Sequence, residues 1–301
     1  MRLGCGGPGT DARMSRQLRD FLDLVKAEHT VFALPFAYLG MVLAGQPWPT
    51  WRQALWITVA MIAARTLAMA LNRLIDLRLD AANPRTAQRP LVTGKVTPRV
   101  AWIGSAAAAL LLGLAAWQLG PLPLCLLPGA LLFLVGYSFT KRYTWLSHFV
   151  LGFTDGLAPM GAWVGVRGSL FTAEDLPAWL LLGIVTFWIV GFDILYACQD
   201  AAFDREHGLH AIPARFGIRT ALWVSAACHV LTWGGLLALG AVLGLAWPYW
   251  VGLLIVGGLL VYEHRLVKPD DLSKLVVAFF NINGYISLIL FGATLWARAL
   301  S

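Results

Sequence analysis

A chain of 301 residues that is 58% hydrophobic and only 13% charged, with a mean hydropathy of +0.69, is too apolar for a soluble protein of this size. That balance excludes a soluble multidomain enzyme, a disulfide-stapled secreted module and a disordered chain, and points to an all-α integral membrane protein. The net charge of +7 is not a nucleic-acid signal, because the cations lie in the connections between apolar runs.

The first 20 residues are polar and basic and hold no apolar core of a cleaved signal peptide, so residues 1–25 read as a cytoplasmic segment, with Met1 and Met14 both candidate starts. Residues 26–301 read as a single transmembrane domain. Its apolar runs fall near 27–45, 53–71, 100–118, 122–138, 145–165, 178–198, 220–240, 245–262 and 275–297. At ~20 residues per crossing these predict nine transmembrane helices. Of the four cysteines, Cys125, Cys198 and Cys228 sit in apolar runs and Cys5 in the N-terminal segment, without metal or pairing spacing.

With the N-terminus inside, nineteen of the twenty-three cations fall on the inner side, and only Arg52, Arg167 and Arg298 outside. The positive-inside rule therefore predicts a multi-pass inner (plasma) membrane protein with a cytoplasmic N-terminus and an external C-terminus. Tryptophans such as Trp48, Trp117 and Trp247 then form an outer aromatic belt. Outer connections are short and nearly uncharged, so the chemistry is expected at the cytoplasmic face.

Two inner segments carry it, residues 72–99 and 199–219. The first opens with Asn72, Asp76 and Asp80 at four-residue spacing, the second with Asp200 and Asp204. On helices each set occupies one face. The polar line continues into the apolar runs, with Arg65 seven residues before Asn72, Asp193 seven before Asp200, and Tyr196 between the latter two. Asp76 to Asp200 and Asp80 to Asp204 are each 124 residues, a spacing that covers four spans and predicts a duplicated four-helix unit plus a final helix.

Paired carboxylates facing one another repel a diphosphate unless a cation lies between them. Mg²⁺ prefers oxygen ligands and is usually held by one or two carboxylates together with substrate phosphates, so the expected cofactor is Mg²⁺ and the expected ligand an organic diphosphate. Arg73, Arg78, Arg85, Arg89, Lys95, Lys141 and Arg142 are available to neutralise the remaining phosphate charge. Any one such pair is commonly a solvated surface pair of little energetic weight; two matching clusters on one side outweigh that reading. Arg65, Asp155 and Asp193 point to function by default, since an intramembrane charge costs at least ~2.5 kcal/mol, with a helix-holding ion pair as the competing account. His207 and His210 read as residues near solvent or phosphate, Asn281 and Asn283 as interhelical glue, and Tyr137, Phe187, Phe192, Phe279 and Phe280 as packing or cavity wall.

At these residues the chain resembles the UbiA superfamily of intramembrane prenyltransferases over nearly its whole length. The matching features are the Asn72, Asp76, Asp80 motif after the second apolar run, the Asp200, Asp204 motif after the sixth, and Arg65 upstream of the first. Tyr137, Lys141, Arg142 and Thr144 add a Tyr-x-x-x-Lys-Arg-x-Thr stretch, and Asp193, Tyr196 and Ala197 an Asp-x-x-Tyr-Ala stretch. The resemblance implies nine helices around a lateral, lipid-facing cavity and Mg²⁺-assisted transfer of a polyprenyl group from its diphosphate to an aromatic ring carbon. It implies that Asp76, Asp80, Asp200 and Asp204 hold metal, that Asn72, Arg73, Tyr137, Lys141 and Arg142 bind substrate, and that Arg65, Asp193 and Tyr196 orient or deprotonate the aromatic acid acceptor.

Arg73, Glu206 and His210 depart from the pattern typical of 4-hydroxybenzoate enzymes. The runs Phe192–Ala197 and Gly208–Gly217 are more similar to the branch associated with menaquinone made through futalosine. Both 4-hydroxybenzoate and a dihydroxynaphthoate therefore stand as acceptors. The rival accounts are a transporter with an Arg65, Asp155, Asp193 relay and a non-catalytic binder of lipid diphosphates.

Overall fold

The computed structural model describes residues 19–275 and 277–300, and apart from one isolated bridge between Lys268 and Asp271 the regular structure among them is helical. Cys5, the N-terminal arginines Arg2, Arg13 and Arg16, and the side chains of Phe279 and Phe280 lie outside the described residues.

Nine helices of eighteen or more residues among the described residues follow the nine apolar runs in order. They are α1 (Ala27–Ala44), α2 (Trp51–Ile75), α4 (Pro98–Leu119), α5 (Pro121–Thr140), α6 (Ser147–Arg167), α7 (Leu176–Ala197), α10 (Ile218–Leu243), α11 (Trp247–Leu266) and α12 (Asn283–Leu300). Three short helices decorate one end of the bundle: α3 (Leu77–Ala82), α8 (Ala201–Glu206) and α9 (Ile212–Phe216). Among the described residues six helical stretches are long and apolar enough to cross a membrane: α2, α4, α5, α6, α10 and the stretch Ala173–Glu206 that contains α7. The last turn of α11 carries His264 and Arg265.

Local chemistry sets the boundaries. Thr50 opens α2 with a capping box, its hydroxyl accepting from the Gln53 backbone while the Gln53 side chain accepts from the Thr50 backbone. Thr97 caps α4, with Pro98 in the first turn. Gly168 at φ 69 stops α6 in the left-handed conformation that glycine adopts without penalty.

The last expected span, 275–297, is not one continuous α-helix. Val277–Ile282 forms a wider π turn, and α12 begins only at Asn283. The Asn283 amide explains the widening: its Nδ2 donates both to the Ala278 carbonyl five residues back and to Glu263 Oε1 of α11 at 2.8 Å. The glue role expected of Asn283 is thus realised between α11 and α12.

The largest core cluster surrounds α7, which packs on α6 and α10. Small residues set the α6–α7 distance. A Cβ on Gly152 would lie 2.4 Å from the Thr186 carbonyl oxygen, and one on Gly156 2.7 Å from that of Leu182, so this Gly-x-x-x-Gly face admits no side chain. Gly152→Leu is expected to force the helices apart at a cost of about 1–3 kcal/mol. Read as thermal stability in detergent this is a loss of several degrees in Tm, and an unchanged Tm would refute the close-approach account. At the opposite extreme, α5 buries only Ser138.

Candidate active site

Both acid motifs sit where a long helix breaks. Asp76 separates α2 from α3 at φ −91, ψ 6, and Asp200 precedes α8 at φ −98, ψ 4; each is followed by a six-residue helix. The two bends are alike in local geometry. They also modify the single-helix picture, since neither motif runs along one unbroken helix.

Arg65, Asn72, Arg73, Asp76 and Asp80 from the first half line one cavity of about 1300 Å³. Asp193, Tyr196, Asp200 and Asp204 line the same cavity, as do Tyr137 and Lys141. Of the expected site residues only Arg142 is not in its wall, and Arg142 reaches the site through Asp76. Asp155 and Phe192 border the cavity too, whereas Phe187 packs in the core and His207 is exposed, stacked on Phe203. Away from the charged end the wall is apolar, with Leu112, Ala116, Leu126 and Phe133 among its residues.

Among the described residues each motif acid has a cationic partner of its own except Asp204. Asp76, 3% exposed, accepts from Lys141 Nζ at 3.0 Å and Arg142 Nη2 at 2.7 Å. Arg142 also donates to the carbonyls of Ile75 and Ser138, bracing the α2–α3 bend against the end of α5. Asn72 Nδ2 bridges Asp76 Oδ2 at 3.3 Å and Ser138 Oγ at 3.2 Å. Asp80 accepts from Arg89 at 2.5 Å. Asp200 accepts from Arg85 through both Nε and Nη2 and from Asn83 at 3.0 Å, so residues of the first inner loop hold the acid of the second.

Burial alone would depress the Arg85 guanidinium, but its hydrogen bond to Asp200 and the nearby Tyr196 hydroxyl outweigh that and hold it above its ordinary value. Arg85 Nη1 also donates to Tyr196 Oη at 2.9 Å, which couples Tyr196 to the second acid motif. Tyr137 donates weakly to the Ala68 carbonyl at 3.4 Å. Of the cations expected to neutralise phosphate, Arg73, Arg85, Arg89 and Lys141 line the cavity; Arg78 and Lys95 are exposed and do not.

Two partners escaped the sequence reading. Asn83 was not expected to touch Asp200, and His148, buried at the start of α6, hydrogen-bonds Asp193 at 2.6 Å. The signal for His148 was present: it is an ionisable residue inside an apolar run, the criterion that had singled out Arg65, Asp155 and Asp193.

Comparison with known proteins places this arrangement. The model of the UbiA prenyltransferase family matches residues 33–285. The chain is 30% identical over 248 residues to the 4-hydroxybenzoate octaprenyltransferase of Methylobacillus flagellatus, covering 81% of each protein. The apo structure of a UbiA homolog from Aeropyrum pernix K1 superposes with a TM-score of 0.82 at 33% identity, covering 89% of this chain and 98% of that one. A UbiA homolog from Archaeoglobus fulgidus bound to DMAPP and Mg²⁺ shares the fold, with a TM-score of 0.63 at 19% identity over 90% of this chain and 99% of that one. The six apolar helices, the two acid motifs on one cavity and these likenesses together make the chain a multi-pass membrane prenyltransferase that belongs to the UbiA family.

Proposed function

We propose that the chain transfers a polyprenyl group from polyprenyl diphosphate to a ring carbon of an aromatic acid, either 4-hydroxybenzoate or a dihydroxynaphthoate, in quinone biosynthesis. The observation that carries this reading is the opening of both acid motifs, together with Arg65 and Asp193, onto one cavity whose wall away from the charged end is mainly apolar. Such a site suits a substrate with a charged head and a hydrocarbon tail. α5 borders the cavity and buries only Ser138, which supports a lateral opening towards lipid and nine crossings around it. The cation-rich motif end is then cytoplasmic, with the N-terminus inside and residues 26–301 forming one domain.

The donor set fits a hard divalent cation. Among the described residues no three acidic, histidine or cysteine side chains converge on a single point. Mg²⁺ is usually held by one or two carboxylates and completed by phosphate oxygens, and it is the metal that accompanies DMAPP in the Archaeoglobus homolog. Asp76 with Asp80 and Asp200 with Asp204 would hold it, and bound Mg²⁺ neutralises charge on the diphosphate as it leaves.

The remaining steps belong to the chain. Lys141, Arg142, Arg89 and Arg85 now balance the acids, and with the acids engaged elsewhere they turn their charge to the phosphates. The allylic C–O bond breaks and its electron pair leaves with pyrophosphate. The apolar wall shelters the allylic cation from water that would quench it, and ring faces such as that of Phe133 stabilise it. A ring carbon of the acceptor, oriented by Arg65, forms the new C–C bond, and Asp193 takes the proton that the carbon gives up.

The test is purified protein with long-chain polyprenyl diphosphate, Mg²⁺ and each acceptor in turn, read by mass spectrometry and pyrophosphate release. A prenylated ring with an equal amount of pyrophosphate is expected. No product with any acceptor overturns the reading.

A further inference from the structure

Both ring nitrogens of His148 are engaged. Nδ1 lies 2.6 Å from Asp193 Oδ2, and the backbone nitrogen of Ile212 lies 3.3 Å from Nε2. A backbone N–H only donates, so Nε2 is the acceptor and carries no proton. The proton therefore resides on Nδ1 and points at the Asp193 carboxylate, which fixes a neutral ring in a single tautomer between α7 and the segment that follows the second acid motif.

That segment is itself pinned to the charged end of the site. Leu209 N donates to the Asp204 carbonyl at 2.7 Å, His210 N to the Lys141 carbonyl at 2.8 Å, and Ile212 N to His148. Three amides within four residues thus tie Asp193, through His148, to an acid of the second motif and to a cation that holds the first. A bond that served only to join helices would be buried at both ends. Here the His148 side chain is 5% exposed and that of Asp193 24%, and both line the cavity.

We propose that His148 is a positioning residue for the acceptor half of the reaction: its Nδ1–H holds the Asp193 carboxylate in one orientation at the cavity wall, in register with the segment over 209–212. The inference rests on the assignment of Asp193 to the aromatic acceptor made above. It requires the imidazole to act through Asp193, so its effect belongs to acceptor use and not to capture of the diphosphate.

Two variants separate this from a packing role. His148→Phe keeps the ring volume and removes both hydrogen bonds; His148→Asn keeps an N–H close to the Nδ1 position. The His148→Phe enzyme is expected to lose about 10- to 100-fold in kcat/KM for the acceptor, the range for removing a group that orients a reacting residue, with the KM for polyprenyl diphosphate within about twofold of wild type. His148→Asn is expected to restore most of that loss. Nitrogen-15 histidine spectra of the wild type, with the His148 signals identified by their absence in His148→Asn, are expected to show the Nδ1–H tautomer. Loss shared equally between the two substrates, no recovery in His148→Asn, or an Nε2–H tautomer overturns the proposal while leaving prenyl transfer intact. A wild-type protein that prenylates no acceptor overturns the functional reading and this proposal with it.

Discussion

Asp76→Ala is expected to lower turnover by at least about 10²- to 10³-fold, the scale for removing one preorganised charge from an active site, and chelation of Mg²⁺ to have an effect of at least that size. Asp76 is the most enclosed of the four motif acids and is the point at which three elements meet: the α2–α3 bend, Lys141 and Arg142. Its loss leaves two cations without their counter-charge and, on the proposed function, removes oxygen ligands of the metal. Breaking a buried pair from one side can cost about 3–5 kcal/mol, so Asp76→Asn, which keeps the shape and a hydrogen-bonding oxygen, accompanies it. Both variants are expected to elute as folded protein in size-exclusion chromatography, and both to be inactive. Asp200→Ala is expected to follow the same pattern, since Asp200 is held from the other loop by Arg85 and Asn83. Mg²⁺-dependent activity within threefold of wild type in the folded Asp76→Asn protein would remove this residue from the metal site.

The helices and the site were legible to different degrees, for physical reasons. Long apolar runs of about 20 residues have few alternatives to helix, so the nine runs and their order appear in the structure. Arg65, Asp76 and Asp200 stood out because charge in an apolar chain is costly and therefore informative. What pattern reading missed were partners defined by three-dimensional closure. Asn83 and Arg85 belong to the first loop and serve Asp200 of the second, a pairing that no local spacing encodes. Arg78 and Lys95 have the same composition signal as Arg85 and Arg89, and only the path of the loop separates the two pairs. The interruption before α12 was hidden as well, because Asn283 widens the helix through a bond to its own backbone while also serving Glu263.

The pairing of every motif acid but one with Arg or Lys also bears on how the site waits for substrate. Four carboxylates facing one apolar cavity would carry a large self-repulsion; with Lys141, Arg142, Arg89 and Arg85 in contact the end of the bundle is close to charge-balanced. On the proposed function, polyprenyl diphosphate would bring anionic oxygens for those cations and Mg²⁺ positive charge for the acids. Head group and metal would then exchange partners with pairs already formed, so neither is expected to bind as tightly alone as in the presence of the other. Titration of the diphosphate with and without Mg²⁺ measures this coupling, and equal affinities would refute it.

Arg65→Leu is expected to be nearly as damaging as loss of a motif acid, but only towards the acceptor. Arg65 sits ten residues from the end of α2, and its buried Nε has no hydrogen-bond partner. A buried, unsatisfied donor on a charged group is costly, and such cost is normally offset by a ligand or a counter-charge. The cavity beside it is where, on the proposed function, an aromatic carboxylate would supply that partner. A hydrogen bond to a charged group contributes about 1.5–3 kcal/mol, so kcat/KM for the acceptor is expected to fall about 10- to 150-fold, with ionisation of the diphosphate unaffected. Arg65→Lys separates charge from geometry: lysine keeps the charge but lacks the planar fork that matches a carboxylate, so it is expected to recover only part of the loss. Retention of wild-type acceptor kinetics in Arg65→Leu would show that Arg65 serves helix packing instead, and would move the acceptor's carboxylate to another part of the cavity.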